Sequence, residues 1–305
     1  MASNLSLELI WQFCVYGLNT GAVYALVALG FVIVYQITGF VNFAQGEFVM
    51  LGAMLTAWPT SSLKWQIWYA TPFAIIVTVF IGLLLERFCI RPAEKRNANA
   101  MTVVVITLGA GIAIKGVALS LWGPEPYSLA VFNKGSFKIF GAVILWQNLW
   151  QLGATALVGG LFLFFFTRTL IGRAMRACSI NRYAARLMGI SPRFMSSVAF
   201  GLAAAIGAVG GIVIAPTAGG ASWDMGTRLG LLGFVAAVLG GWSYGGAVAG
   251  GFLLGVMEQL AIGVTDRNWS RFQDAFAFIL LLLVLLWRPG GLFARKARET
   301  SRAGL

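Results

Sequence analysis

The chain has 305 residues, 59% of them hydrophobic and only 10% charged, with a mean hydropathy of +0.84. Soluble globular chains carry roughly 25% charged residues, so a water-facing surface cannot be built here and most of the exterior must meet lipid or other membrane helices. The formal net charge of +12 suggests a nucleic-acid binder until its placement along the chain is considered.

A spanning helix needs about 20 apolar residues. Candidate spans lie at about 10–36, 41–58, 67–89, 101–122, 143–167, 196–218, 229–241, 246–264 and 273–288. The second, seventh and eighth are short or glycine-broken and can be read equally as re-entrant pieces. The expected fold is therefore an all-α polytopic transmembrane bundle of eight or nine spans, or seven if 229–264 only dips. Residues 1–305 form one transmembrane domain on this reading. Met1 to Glu8 lack the basic region of a cleavable signal, so the first apolar stretch is expected to stay as a span.

Basic residues gather between and after these spans. Arg87, Arg91, Lys95 and Arg96 follow the third. Arg168, Arg173, Arg176, Arg182, Arg186 and Arg193 follow the fifth, and the tail 288–305 holds Arg288, Arg295, Lys296, Arg298 and Arg302. If every candidate crosses, all of these share one side, leaving Lys64, Lys134, Lys138, Arg228, Arg267 and Arg271 for the other. The positive-inside rule then makes the crowded side cytoplasmic, with the N-terminus outside and the C-terminus inside. The charge is topological, and no nucleic-acid partner is expected. Trp58, Trp65, Trp68, Tyr69, Trp122, Tyr127, Trp146, Trp150 and Trp269 near outer ends, and Trp287 near an inner one, suit interfacial aromatic belts.

Few groups in the chain carry chemistry. Histidine is absent and Cys14, Cys89 and Cys178 form no metal or disulfide pattern, which removes the usual imidazole base and metal ligand. No paired carboxylates or nucleophile motif suggests an intramembrane enzyme. Polar groups inside spans are the candidates for a solute path, because lipid exposure of an ionised side chain is costly. Asn42, Gln45 and Glu47 open the short second span, where they can serve either the path or the helix-terminal amides. Lys115 lies within the fourth span and can snorkel outward, pair with Glu258, or meet an anionic solute group. Gly17/Gly21, Gly207/Gly211 and Gly246/Gly250 have the small-xxx-small spacing of close helix contacts. Pro216 marks a kink or exit of the sixth span, and the PGG at 289–291 reads as a helix stop.

The most informative polar stretch is the loop at about 168–195. Ser179 can cap a helix in which Ile180, Tyr183, Ala184, Leu187 and Met188 share one face and Arg182 and Arg186 another. Gly189 and Pro192 close it. Such a helix either lies on anionic membrane lipid or inserts its apolar face into a partner's groove.

GRAMRA, Asn181 and AARLMGIS in this loop resemble the cytoplasmic loop of bacterial ABC importer permeases of the branched-chain (hydrophobic) amino-acid type, a family that also includes urea and amide importers. GLNTGAVYALVALGFVIVY (17–35), VNFAQGEFVMLGA (41–53), GGWSYGGAVAGGFLLGVMEQL (240–260) and WRPGGLF (287–293) resemble the same family, in chain order. The resemblance implies a permease subunit that moves a small solute, a branched-chain amino acid or related amide, by alternating access in the bacterial inner membrane. It also implies that the chain binds no cofactor and that ATP and Mg belong to two partner ATPase subunits. The absence of GxxxxGK[ST] agrees, since no P-loop cradles phosphates. A second related permease, or a copy of this chain, and an external solute-binding protein complete the expected assembly. Arg173, Arg176, Asn181, Arg182, Leu187 and Gly189 are the expected ATPase-coupling residues. The family usually shows histidine where Gln45 stands. The competing expectation is a stand-alone secondary transporter or channel, built on membrane-embedded carboxylates and broken helices.

Overall fold

Within lipid each backbone amide must find its partner inside the protein, which favours helices wherever this sequence is continuously apolar. The computed structural model describes residues 7–96, 98–129, 135–139, 142–264 and 273–293. The readings of Lys134, Arg267, Trp269, Arg271, Arg295, Lys296, Arg298 and Arg302 fall outside them. The elements are α1 (Leu7–Thr38), α2 (Gln45–Ser62), α3 (Ile67–Leu85), α4 (Arg91–Lys95), α5 (Ala100–Trp122), β1 (Ser136–Ile139), β2 (Ala142–Leu145), α6 (Trp146–Arg168), α7 (Leu170–Ile180), α8 (Arg182–Leu187), α9 (Pro192–Ile214), α10 (Met225–Leu239), α11 (Tyr244–Val264) and α12 (Gln273–Trp287).

Among the described residues, six helices are long and apolar enough to cross a membrane: α1, α3 continued into α4, α5, α6, α9 and α11. The helices α2, α10 and α12 have 18, 15 and 15 residues. At 1.5 Å per residue they are shorter than the roughly 30 Å of hydrocarbon. Each sequence candidate lies on one helix, and the expected all-α polytopic fold holds. The 229–264 region is two helices joined by a turn in which Gly241 and Trp242 take φ of 63° and 54°.

Three local features depart from the sequence reading. An antiparallel hairpin pairs Ser136 with Leu145 and Ile139 with Ala142, so the fifth span starts at Trp146 and not at 143. Gln12 clamps this hairpin to α1, donating to the Val143 carbonyl at 3.0 Å and accepting its amide at 2.6 Å. The third span does not stop at 89 but passes through a π-turn, Glu86–Ile90, into α4. A π-turn brings residues five apart together, and Arg91 Nε lies 2.9 Å from both carboxylate oxygens of Glu86. Ser197 of α9 donates to Glu86 at 3.2 Å and accepts from Arg91 at 2.6 Å. The sixth span ends at Ile214, so Pro216 marks its exit.

The helix α1 is the axis of the bundle, with every side chain from Ala22 to Leu29 buried. The glycine pairs are contacts between helices. A Cβ on Gly21 would lie 2.8 Å from Gly251 O and from Phe252 Cα of α11. Gly211 faces Val49 of α2, and Gly250 faces Ala236 of α10. Close backbone approach of this kind substitutes packing for the hydrophobic drive that lipid removes.

The short helices α2 and α10 are each entered through irregular chain, 39–44 and 215–224. The first turn of α2 lies beside Gly30 and Ala203, well inside the ends of α1 and α9. There it meets the first turn of α10, with Gly46 against Gly226 and Gly230. Irregular backbone at membrane depth is tolerated where protein covers it.

Candidate coupling surface and solute cavities

One end of the bundle collects the basic segments. The loop helix expected from sequence is two helices, α7 and α8, each with its own N-cap. Thr169 caps α7 by accepting the Gly172 amide, and Asn181 breaks the chain and caps α8 by accepting the amides of Tyr183 and Ala184 at 3.0 Å. Ser179, expected as the cap, instead lies in the last turn of α7 and donates to the Arg176 carbonyl. Asn181 wins because its amide oxygen reaches two orphan N–H groups at once. Gly189 takes φ of 81°, and Ile190 N donates to Ala185 O while Gly189 N donates to Arg186 O. This is a Schellman stop; Pro192 then opens α9, capped by Ser191.

The apolar face of this segment points away from the protein. Ile180, Tyr183, Leu187 and Met188 are 87%, 71%, 72% and 82% exposed. Met175 and Cys178 are the residues that bury α7, and Ala185 buries α8. Burial pushes the Cys178 thiol pKa up, with the Arg182 charge opposing. Arg173 and Arg176 are exposed on α7. Arg182 turns inward: it donates to Glu94 of α4 at 3.3 Å and to the Thr38 carbonyl of α1 at 3.4 Å. It tethers α8 to the bundle. Beside it a cavity of about 610 Å³ is lined by Arg91, Lys95, Arg182, Arg186 and Arg193 against one carboxylate, Glu94.

The polar first turn of α2 is buried between helices, and its residues line neither large cavity. Asn42 accepts the Ala44 amide at 3.2 Å. Gln45 occupies a slot left by Gly30 and Gly207 and donates to the Ala203 carbonyl at 3.0 Å. Glu47 faces Thr227 and the charge of Lys115. Lys115 donates to Thr227 Oγ1 at 3.1 Å and sits 4.9 Å from the centre of the Trp223 ring, within cation–π range. It lines a smaller cavity of about 280 Å³ with Asp224 and Arg228.

The other end of the bundle holds a second cavity of about 610 Å³, between α1, α6, α9, α10 and α11. Glu258, 2% exposed, lies in its wall and pairs with Arg228 at 3.4 Å, while Tyr24 donates its hydroxyl to the other carboxylate oxygen at 2.7 Å. Arg228 thus takes the place that the sequence offered to Lys115. Sequence reading set Arg228 in a loop; it lies on α10, which begins at Met225, with its side chain 47% exposed and its guanidinium reaching Glu258 in the cavity wall. Tyr24, Asn19, Asn148 and Gln151 were also missed. Polar residues at 148 and 151 share one helix face of an otherwise apolar span, which was the available signal.

The family described as branched-chain amino acid transport system, permease component, matches residues 13–285. The high-affinity branched-chain amino acid transport system permease protein BraD of Pseudomonas aeruginosa is 32% identical over 302 residues, covering 94% of this chain and 97% of that protein. LivH of Escherichia coli K12, described in the same words, is 30% identical over 300 residues, covering 93% and 95%. The autoinducer 2 import system permease protein LsrC of Escherichia coli O9:H4 is 26% identical over 253 residues, covering 78% and 67%. Among solved structures, PsaBC from Streptococcus pneumoniae in complex with Fab aligns with a TM-score of 0.43 at 16% identity, covering 91% and 89%, and carries no argument here. With residues 13–285 matched by the family model, and BraD 32% identical over 94% of this chain, the chain belongs to the family of permease components of branched-chain amino acid transport systems.

Proposed function

We propose that this chain is the membrane-spanning permease of an ATP-driven importer for branched-chain or other hydrophobic amino acids. It acts with two ATPase subunits, a second permease and an external solute-binding protein, in a bacterial inner membrane with the basic end in the cytoplasm. The observation that carries the reading is the exposed apolar face of α7–α8 at the basic end. Four large apolar side chains exposed on one short cytoplasmic segment favour a groove in a partner. The names of BraD and LivH support the solute class.

Closure of the ATPases would push α7–α8 as a unit. Arg182 passes that displacement to the end of α1 through the Thr38 carbonyl and to α4 through Glu94. Because α1 packs against α11, α9 and α10, its movement re-sorts the helices around both large cavities. ATP binding and hydrolysis in the partners thus bias inward and outward states, with Mg held there too.

The test is co-purification of the detergent-solubilised chain with its ATPase, comparing wild type with Arg173→Glu and Leu187→Asp. Both side chains are exposed, so the fold should survive. Retention of ATPase is expected to fall at least about tenfold, as for loss of an interface anchor. Unchanged association and unchanged transport-coupled hydrolysis in both variants would sink the docking assignment.

A further inference from the structure

We propose that the cavity at the basic end of the bundle binds the headgroup of an anionic phospholipid of the cytoplasmic leaflet, with Lys95, Arg186 and Arg193 holding its phosphate. The inference rests on the importer reading above for which end faces the cytoplasm, and adds a ligand that this chain takes from the membrane.

The first argument is the charge left over in the cavity wall. Arg91 and Lys95 of α4, Arg182 and Arg186 of α8, and Arg193 of α9 line it against a single carboxylate, Glu94. Two of these cations are matched within the protein: Arg91 by Glu86 at 2.9 Å and Arg182 by Glu94 at 3.3 Å. Among the described residues no carboxylate lies within ion-pair distance of Lys95, Arg186 or Arg193. All three are exposed, so water solvates each of them, yet they come from three helices to one concave surface. A cleft lined by one sign of charge concentrates its field and gathers counter-ions. The first residues of α5 and α9, Ala100 and Pro192, lie in the same wall and add the positive ends of two long helices. A phosphate suits this wall, because a guanidinium grips its oxygens through paired N–H donors.

The second argument is what surrounds the charge. Both α5 and α9 are long and apolar enough to span, and both begin at this cavity, so it lies at the level where the chain enters the bilayer. Phe40, Ala98 and Val103 give part of the lining an apolar character that suits the glycerol and first methylenes of a lipid. Farther along α5, Met101, Val105, Leu108 and Ile112 are exposed at the spacing of one helix face, a surface along which an acyl chain can lie. A free phosphate would use the cations and nothing of this stripe. Ile180, Leu187 and Met188 of the exposed apolar face do not line the cavity, so headgroup and ATPase are assigned different surfaces. Its volume of about 610 Å³ lies within the range of small-molecule sites, and basic pockets on the cytoplasmic side of membrane helices recognise lipid headgroups in this way. A phosphate held there links α4, α8 and α9 beside the Arg182 tether.

The test uses the full-length chain in detergent with equal amounts of dioleoylphosphatidylglycerol and dioleoylphosphatidylcholine, retained lipid being counted by native mass spectrometry. The anionic lipid should be retained at least about tenfold over the zwitterionic one. The triple variant Lys95→Gln/Arg186→Gln/Arg193→Gln should lose most of that preference. Arg87→Gln/Arg168→Gln/Arg288→Gln removes the same charge outside the cavity and should keep it. Equal retention of the two lipids by wild type overturns the proposal, whatever the variants do. Equal loss in both triple variants overturns it as well, because the lipid then follows overall charge. Inorganic phosphate at the same concentration should leave the lipid bound; displacement would make this a free-phosphate site and overturn the lipid assignment. The ATPase subunit is then added, and the lipid should stay. Release of lipid on ATPase binding would make the cavity part of the subunit interface and overturn the proposal. ATPase that fails to bind while the lipid preference persists counts against the importer reading and leaves this site standing.

Discussion

Glu86 and Arg91 show how one ion pair can close a helix end. The carboxylate is 1% exposed and the guanidinium side chain 27%, and Ser197 links both to α9. Arg91→Ala would leave a buried carboxylate without its cation. We expect a loss of about 3 kcal/mol, the low end for breaking a buried pair because Arg91 is partly wetted, read as thermal unfolding in detergent. A loss under about 1 kcal/mol would mean that water replaces the guanidinium. Gln45 makes a related point about side chains that look functional in sequence. Its amide fills a slot between Gly30 and Gly207 and ties α2 to α9.

At the scale of elements, the bundle depends on backbone contact between helices. Gly21→Leu should disrupt the α1–α11 seam, because its Cβ alone would lie 2.8 Å from two backbone atoms. Overpacking of this kind costs about 1–3 kcal/mol or more. Gly116→Leu on α5, where nothing lies within 4 Å of a built Cβ, is the control and should leave the melting temperature of the isolated chain unchanged. Equal destabilisation at both sites would show that the loss at Gly21 does not come from this contact, since Gly→Leu by itself raises helix propensity. The cap at Asn181 is an element-scale decision too. It divides the loop so that α7 is buried on Met175 and Cys178 while the exposed apolar face runs from Ile180 on α7 to Met188 just past α8.

For the whole molecule, the charge asymmetry becomes a spatial one. The chain near Thr38, α4, α7–α8 and the turn at Gly240–Trp242 meet at one end through Arg182, Arg91 and the Leu292–Leu239 hydrogen bond. The hairpin, Tyr127 paired with Ala221, and the Arg228 cavity mark the other end. In intact cells, a cysteine replacing Lys138 should react with an impermeant maleimide. One replacing Arg186 should react only after permeabilisation, with Cys14, Cys89 and Cys178 first changed to serine. The reverse pattern would invert the orientation.

Composition and hydropathy alone determined that the chain lives in a membrane and where its helices lie, because lipid leaves a long apolar segment no other way to satisfy its amides. The basic loops determined which ends belong together, and the α7–α8 pattern was legible because an amphipathic face is a local property of the sequence. What only the tertiary structure decided depends on residues far apart in the chain. Sequence offered Glu258 to Lys115 as one of three alternatives, yet a cation beside it is Arg228, thirty positions earlier on α10, with Tyr24 of α1 across from it. No local periodicity encodes such a meeting. It follows from how α1, α10 and α11 pack, and that packing turned a row of spans into two cavities with an exposed apolar face near one of them.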